Sequence, residues 1–325
     1  MSGVPAPIDS SALPAPQTGG ADASAPRRKS RYSLLTGRDK VTLALMVGIP
    51  TILCLSFIWL PTLASIGLSF TNWRGITPIT TNNIVGFKNY EVLFTQYTLF
   101  WPALFHNIIW LLFLVLIATP IGIFLAVLLD REMKGTRVYQ SAFYIPVVLS
   151  LAIVGFIWQQ MYTSQGFINS ILGHTSSDTA IDFLGNPSLN LWAVLIAASW
   201  RHVGYVMVLY LAGLKSVDPT LREAAAIDGA NARQTFIRVV FPVMKPINVV
   251  VIVVTVIESL RAFDIVYIIN KGKNGLELLS TLITNNTLTE ASLVGFGSAI
   301  AVVLLLLSLV PIVFFLSRTM RSDTR

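Results

Sequence analysis

The chain has 325 residues, of which 54% are hydrophobic and 12% charged, and its formal net charge is +7. A soluble domain carries about 25% charged residues, so a soluble globule is excluded and lipid is the solvent for most of this chain. Its basic residues sit in short polar segments between apolar runs, a placement that argues against nucleic acid as the partner of that charge.

Residues 1–30 are rich in Ala, Pro, Ser and Gly, and residues 1–40 are expected to form a disordered tail. No apolar core precedes Val41, which argues against a signal peptide. Six apolar stretches are long enough to cross a bilayer, near 41–70, 103–129, 138–162, 189–213, 247–269 and 292–317. The expected fold class is therefore an all-α membrane protein of six transmembrane helices, with a membrane domain over 41–320. The single cysteine, Cys54, lies in the first run and is expected to be a small buried hydrophobe. Trp59, Trp101, Trp110, Trp158, Trp192 and Trp200 fall mostly near span ends, as interfacial belts would place them.

With the N-terminus inside, seventeen Lys and Arg residues fall on the inner side and four on the outer, namely Arg74, Lys88, Lys271 and Lys273. The bias predicts that both termini are cytoplasmic. Residues 71–102, 163–188 and 270–291 then face outward as loops, the last broken by Lys271-Gly-Lys-Asn-Gly275.

The polar segment 216–245 then lies in the cytoplasm. Asp218-Pro219 reads as a helix start, because Asp accepts bonds from first-turn amides and Pro suits the first helical position. Glu223 falls early in a short helix, Leu221 to Ile227, and Gly229 suits a left-handed C-terminal cap. Asn231 can cap a second helix, Ala232 to Val240, expected to end before Pro242. The expected result is a cytoplasmic helix-turn-helix elbow.

Four charges lie at bilayer depth, where they are costly: Arg201 in the fourth span, and Glu258, Arg261 and Asp264 in the fifth. Glu258 and Arg261 are three apart and can form an internal ion pair. A second reading takes Thr255, Glu258, Ser259 and Ala262 as one polar, small stripe at helical spacing. That stripe, with Arg201 and Tyr205 on the preceding span, would line a solute path near the midplane. Both readings stand at this stage. His106, His174 and His202 show no metal-ligand spacing, and no metal site is expected. His202 reads as a satisfied core histidine. No phosphate-binding GxxxxGK[ST] loop, G-x-S-x-G elbow or H-E-x-x-H pair occurs.

The elbow resembles the coupling loop of ABC importer permeases, whose pattern is EAA-x3-G-x9-I-x-L-P. Here it reads Glu223-Ala224-Ala225, Gly229, Val239, Phe241-Pro242. Further segments resemble carbohydrate-importer permeases of the maltose and trehalose type. They are Leu68-Ser-Phe-Thr-Asn-Trp73, Gly86-Phe-Lys-Asn-Tyr90, Phe167-Ile-Asn169, Trp200-Arg-His-Val-Gly-Tyr205, Leu211-Ala-Gly-Leu214 and Phe263-Asp264. Where many relatives carry Gly-Gly-Pro after the fifth span, this chain has Asn270-Lys-Gly-Lys-Asn-Gly275.

The resemblance implies the type I importer permease fold, in a bacterial cytoplasmic membrane. Glu223, Ala224, Ala225, Asp228, Gly229 and Pro242 would dock in a groove of an ATPase subunit. It implies a transport subunit that is not an enzyme and binds no cofactor, ATP and magnesium being held by two cytosolic ATPase partners. A second, different permease and an extracytoplasmic solute-binding protein complete the expected assembly. The cargo would be a sugar, a disaccharide or oligosaccharide. Glycerol phosphate or a polyol is the alternative, and an ion-coupled secondary transporter is the reading from another class. A secondary transporter calls for internal repeats with matching broken helices, and none is legible.

Overall fold

The computed structural model describes residues 36–76, 78–131, 135–174, 176, 178–288 and 292–322. The tail expected over 1–40 therefore falls almost entirely outside the described residues. The chain divides into two compact units, Met1–Trp59 and Leu60–Arg325.

The described part of the first unit is α1 (Gly37–Cys54) and a π turn over Leu55–Trp59. Thr36 caps α1: its hydroxyl accepts from the Asp39 amide, and the Asp39 carboxylate answers at the Thr36 amide. The helix buries no residue against its own chain. Cys54 is accordingly exposed. That corrects the expectation of a buried thiol: an apolar helix in lipid need not be covered by protein.

The second unit holds the remaining helices. They are α2 (Leu60–Leu68), α3 (Lys88–Thr95), α4 (Phe100–Asp130), α5 (Thr136–Val148), α6 (Leu151–Met161), α7 (Phe167–Ile171) and α8 (Pro187–Ser216). Then follow α9 (Pro219–Ile227), α10 (Ala232–Val243), α11 (Lys245–Leu260), α12 (Asp264–Asn270), α13 (Leu279–Thr287) and α14 (Val294–Ser322). Among the described residues there is no strand, only an isolated bridge between Thr71 and Ile84.

Four helical runs are long and apolar enough to cross a membrane: Gly37–Leu68, Phe100–Asp130, Pro187–Ser216 and Val294–Val313. The count reaches six if each of two bent pairs is one span. The third expected span is such a pair, α5 and α6, bent by 101°. Leu149 leaves the helical region, and Ser150 restarts the chain by accepting from the Ile153 amide. The fifth span is bent by 78° at its start, between α10 and Lys245. It is interrupted again after Leu260, where Phe263 takes φ −134° and ψ −58°. The expected outer loop 270–291 contains a helix, α13, that the polar run Leu-Ser-Thr-Leu-Ile-Thr-Asn-Asn-Thr concealed. It buries Leu279, Thr281, Leu282 and Asn286.

Helix α8 is the axis of the unit. One end packs with α4, α6 and α12 around Trp110, Val194 and Ile269, and the other packs with α4 and α11 around Ala126, Tyr210 and Val251. Trp110 is thus a core residue and departs from the expected interfacial belt. Small residues permit the close approach, as they do between membrane helices generally. A β-carbon at Gly204 would lie 2.2 Å from the Phe143 carbonyl oxygen, and one at Gly122 would lie 2.7 Å from the Val206 β-carbon.

Candidate functional site

Two regions carry the residues singled out by sequence. The first is the elbow formed by α9 and α10. The Asp218 side chain accepts from the Thr220 amide at 2.9 Å, and Pro219 opens α9. That amide bond, with the Thr220 hydroxyl, holds the Asp218 carboxyl below its usual range. The helix closes in a Schellman motif: Ala230 N–H donates to the Ala225 carbonyl at 2.9 Å and Gly229 N–H to the Ala226 carbonyl at 3.0 Å. Gly229 has φ +77° with open space where a β-carbon would sit, so its glycine is required by backbone conformation alone. Asn231 and Gln234 form a reciprocal capping box at the start of α10.

Helix α10 does not stop before Pro242. It widens into a π turn over Phe236–Val240 and resumes through Phe241–Val243. The wide turn admits the proline ring without the clash that a regular turn imposes.

Glu223, Ala224, Asp228, Gly229 and Pro242 are exposed, whereas Ala225 is buried against its own chain. Ile227 is 87% exposed and Ile237 is 51% exposed, so the elbow presents apolar side chains as well as acids. One neighbour was not legible in sequence. Arg222 donates to Asp130 at the end of α4 at 2.8 Å and to the Leu214 carbonyl of α8 at 3.2 Å. A single guanidinium therefore ties α9 to the ends of two long helices, through residues 92 and 8 positions away.

The second region is a cavity of about 240 Å³ walled by α4, α8, α11 and the break before α12. Arg201 donates to Glu258 across α8 and α11 at 3.4 Å. This corrects the expected Glu258–Arg261 pair: α11 ends at Leu260, so the two residues no longer share a regular helix face. Arg201, Glu258 and Ala262 reach the wall, joined by His202, Arg261 and Asp264. Thr255 and Ser259 are fully buried and return their hydroxyls to the Val251 and Val256 carbonyls, while Tyr205 stands off the wall. Half of the expected constellation is thus brought together and half is not.

His202 is buried with Nε2 at 3.2 Å from the Thr119 hydroxyl and 3.3 Å from that of Thr255. Thr255 spends its proton on Val251, so it accepts from His202, which assigns the ring proton to Nε2. Nδ1 has no hydrogen-bond partner among the described residues. The core-histidine reading holds for one ring nitrogen only.

Comparison with known proteins shows the family of the chain. The family model described as "Binding-protein-dependent transport system inner membrane component" matches residues 118–322. The chain is 31% identical over 285 residues to the xylose/arabinose import permease protein XacH of Haloferax volcanii, covering 86% of this chain and 88% of that one. It is 33% identical over 272 residues to the osmoprotective compounds uptake permease protein GgtC of Synechocystis, covering 81% and 93%. Its fold is similar to a chain of a bacterial ABC transporter involved in import of the acidic polysaccharide alginate. The TM-score is 0.75 at 23% identity, over 90% of this chain and 99% of that one. The chain belongs to the binding-protein-dependent transport system inner membrane component family, and is a permease subunit of an ABC importer, a transport component and not an enzyme.

Proposed function

We propose that this chain forms one half of the translocation path for a neutral sugar, a disaccharide or oligosaccharide, moved inward across a bacterial cytoplasmic membrane. The observation that carries the reading is the elbow: two capped helices, exposed at Glu223, Asp228 and Ile227, braced to the long helices by Arg222. A stiff, exposed elbow transmits motion between a soluble engine and a membrane bundle. Glu223, Ala224, Ala225, Asp228, Gly229 and Pro242 form the coupling surface within a loop over 216–245. Both termini are cytoplasmic, and the membrane domain covers 41–320. Two cytosolic ATPases hold ATP and magnesium, a second permease supplies the other half of the cavity, and an extracytoplasmic binding protein delivers the cargo.

The neutral cargo is supported by the cavity wall, where two arginines, Arg201 and Arg261, stand with an equal number of acids, Glu258 and Asp264, of which only Arg201 and Glu258 form an ion pair. Relatives named for sugar import support it as well. Arg261 is the feature that favours the alternative, glycerol phosphate or another anionic polyol. It is exposed and has no carboxylate within ion-pair reach among the described residues.

The test is reconstitution of the whole assembly in proteoliposomes with its binding protein. Neutral oligosaccharides should stimulate ATP hydrolysis and uptake, and Gly229→Pro should abolish both while the permease remains in the membrane. Stimulation by glycerol phosphate alone would move the cargo to the alternative. Uptake by this chain in the absence of any ATPase would overturn the coupling.

A further inference from the structure

A cavity of about 400 Å³ opens between the segment 72–85, helix α3, the end of α13 and the start of α14. It lies at the end of the bundle away from the elbow. Tyr97 on its wall stands just before α4, and α4 runs 31 residues to Asp130, which Arg222 of the elbow engages. That is about 45 Å along the helix axis. In the transport reading, on which this inference rests, it is the side from which cargo arrives.

The wall offers hydrogen-bonding groups of both kinds. Asn89 commits its side-chain NH2 to the Ser69 and Thr71 carbonyls, at 2.7 and 2.8 Å, and its side-chain oxygen has no partner among the described residues. Asn286, only 7% exposed, commits its NH2 to the Leu282 carbonyl at 2.8 Å and the Tyr97 hydroxyl at 3.1 Å. Its oxygen is likewise without a partner among the described residues. The carbonyl bonds fix which way both amides point. Tyr97 accepts from Asn286, which leaves its own O–H to donate, and Asn72 accepts from Asn83 at 3.0 Å, which leaves its NH2. Lys88 adds a further donor. Tyr97 and Phe296 meet edge to face at 5.2 Å and, with Trp73, make much of the remaining wall aromatic.

Two fixed amide oxygens call for a ligand with hydrogens to donate. An anionic phosphate presents mainly acceptors, which those oxygens repel, although Arg74 and Lys88 stand on the same wall. A sugar presents hydroxyls that both donate and accept, and C–H faces that lie against aromatic rings. We propose that this cavity is an entry site for the neutral saccharide cargo. Asn89 and Asn286 accept from its hydroxyls, Tyr97, Asn72 and Lys88 donate to them, and the aromatic wall packs against a ring face. Trp110, ten residues into α4, lines the midmembrane cavity, so one helix leads from the first site to the second over about 15 Å.

The test is a saturation-transfer NMR titration of the complete transporter in nanodiscs, without its binding protein, using maltotriose and xylotriose as probes. At least one should bind. Asn72→Ala with Lys88→Met, both at exposed positions, should weaken that binding roughly tenfold with the melting temperature unchanged. Tyr97→Phe, which keeps the ring and removes the hydroxyl, should weaken it by a smaller factor. Binding unchanged in both variants would put the sugar elsewhere and overturn the proposal, as would no binding of either probe. Displacement of the sugar by an equal concentration of inorganic phosphate would reassign the cavity to an anion and overturn the saccharide as occupant. ATP hydrolysis stimulated by the same sugars through the binding protein tests the transport reading separately. Stimulation without binding at this cavity sinks the entry site alone.

Discussion

The elbow and the midmembrane cavity place their charges by opposite means. The elbow is built from local rules: Asp218 and Asn231 cap, Pro219 starts and Gly229 turns, each acting on amides within a few residues. The cavity has no local logic. Arg201 and Glu258 are 57 residues apart and meet only because α8 and α11 pack together. A region made of local bonds keeps its shape when exposed, as a docking surface must. A region made of long-range packing can change shape when helices move, as a transport path must.

The two glycines Gly204 and Gly229 give the largest expected contrast. Gly204→Ala forces a β-carbon onto the Phe143 carbonyl, and overpacking of this kind costs about 1–3 kcal/mol or more. Thermal unfolding in detergent should show a marked loss of stability. Gly229→Ala meets no atom and strains only φ, at about 1 kcal/mol. Its fold should survive while ATPase coupling falls. Equal destabilisation by the two would erase the distinction between packed and local regions.

The brace comes next. Asp130→Ala leaves the Arg222 guanidinium without its carboxylate, at about 2 kcal/mol for a charged hydrogen bond in a partly buried place. ATP hydrolysis should persist with transport reduced, because the elbow would move without carrying α4. Uptake unchanged per ATP hydrolysed would remove Arg222 from the coupling path.

Glu258→Gln keeps shape and removes charge, leaving Arg201 unanswered on the cavity wall. Uptake should fall roughly tenfold at normal protein levels, from the loss of one charged partner at depth. The exchange Arg201→Glu with Glu258→Arg should likewise keep the protein level without restoring uptake. Full rescue of uptake would make the pair purely structural.

The smallest effect is at Asp218. Its carboxyl titrates below the usual range because the charged form accepts from Thr220, so the capping contribution is complete above the ordinary carboxylate pKa. It is lost as pH falls through the lowered folded value. Hydrogen exchange across α9 should rise on acidification in the wild type. Asp218→Asn, which caps without titrating, should show no such step.

The elbow's caps were legible because capping needs only a side-chain acceptor near free amides, and Asp218, Gly229 and Asn231 stand where those amides fall. Pro242 misled, because a proline reads as a stop unless the turn before it widens, and a π turn has no signature in these residues. At the cavity, helical spacing placed Thr255, Glu258, Ser259 and Ala262 on one stripe. It could not tell which edge of that stripe would meet α8. The hydroxyls went to the helix backbone and only Glu258 and Ala262 reached the wall.

By itself, the sequence determined a membrane chain of long apolar helices and an elbow whose turn and caps are written in adjacent residues. Those properties depend on transfer to lipid and on hydrogen bonds within one helical turn, which need no distant partner. Only the tertiary structure decided that Arg201 answers Glu258, that Arg222 reaches back to Asp130, and that α13 is a buried helix where a loop was expected. Each of these depends on which helix faces are pressed together. In lipid, where apolar surface drives no such choice, close packing at residues such as Gly122 and Gly204 makes it.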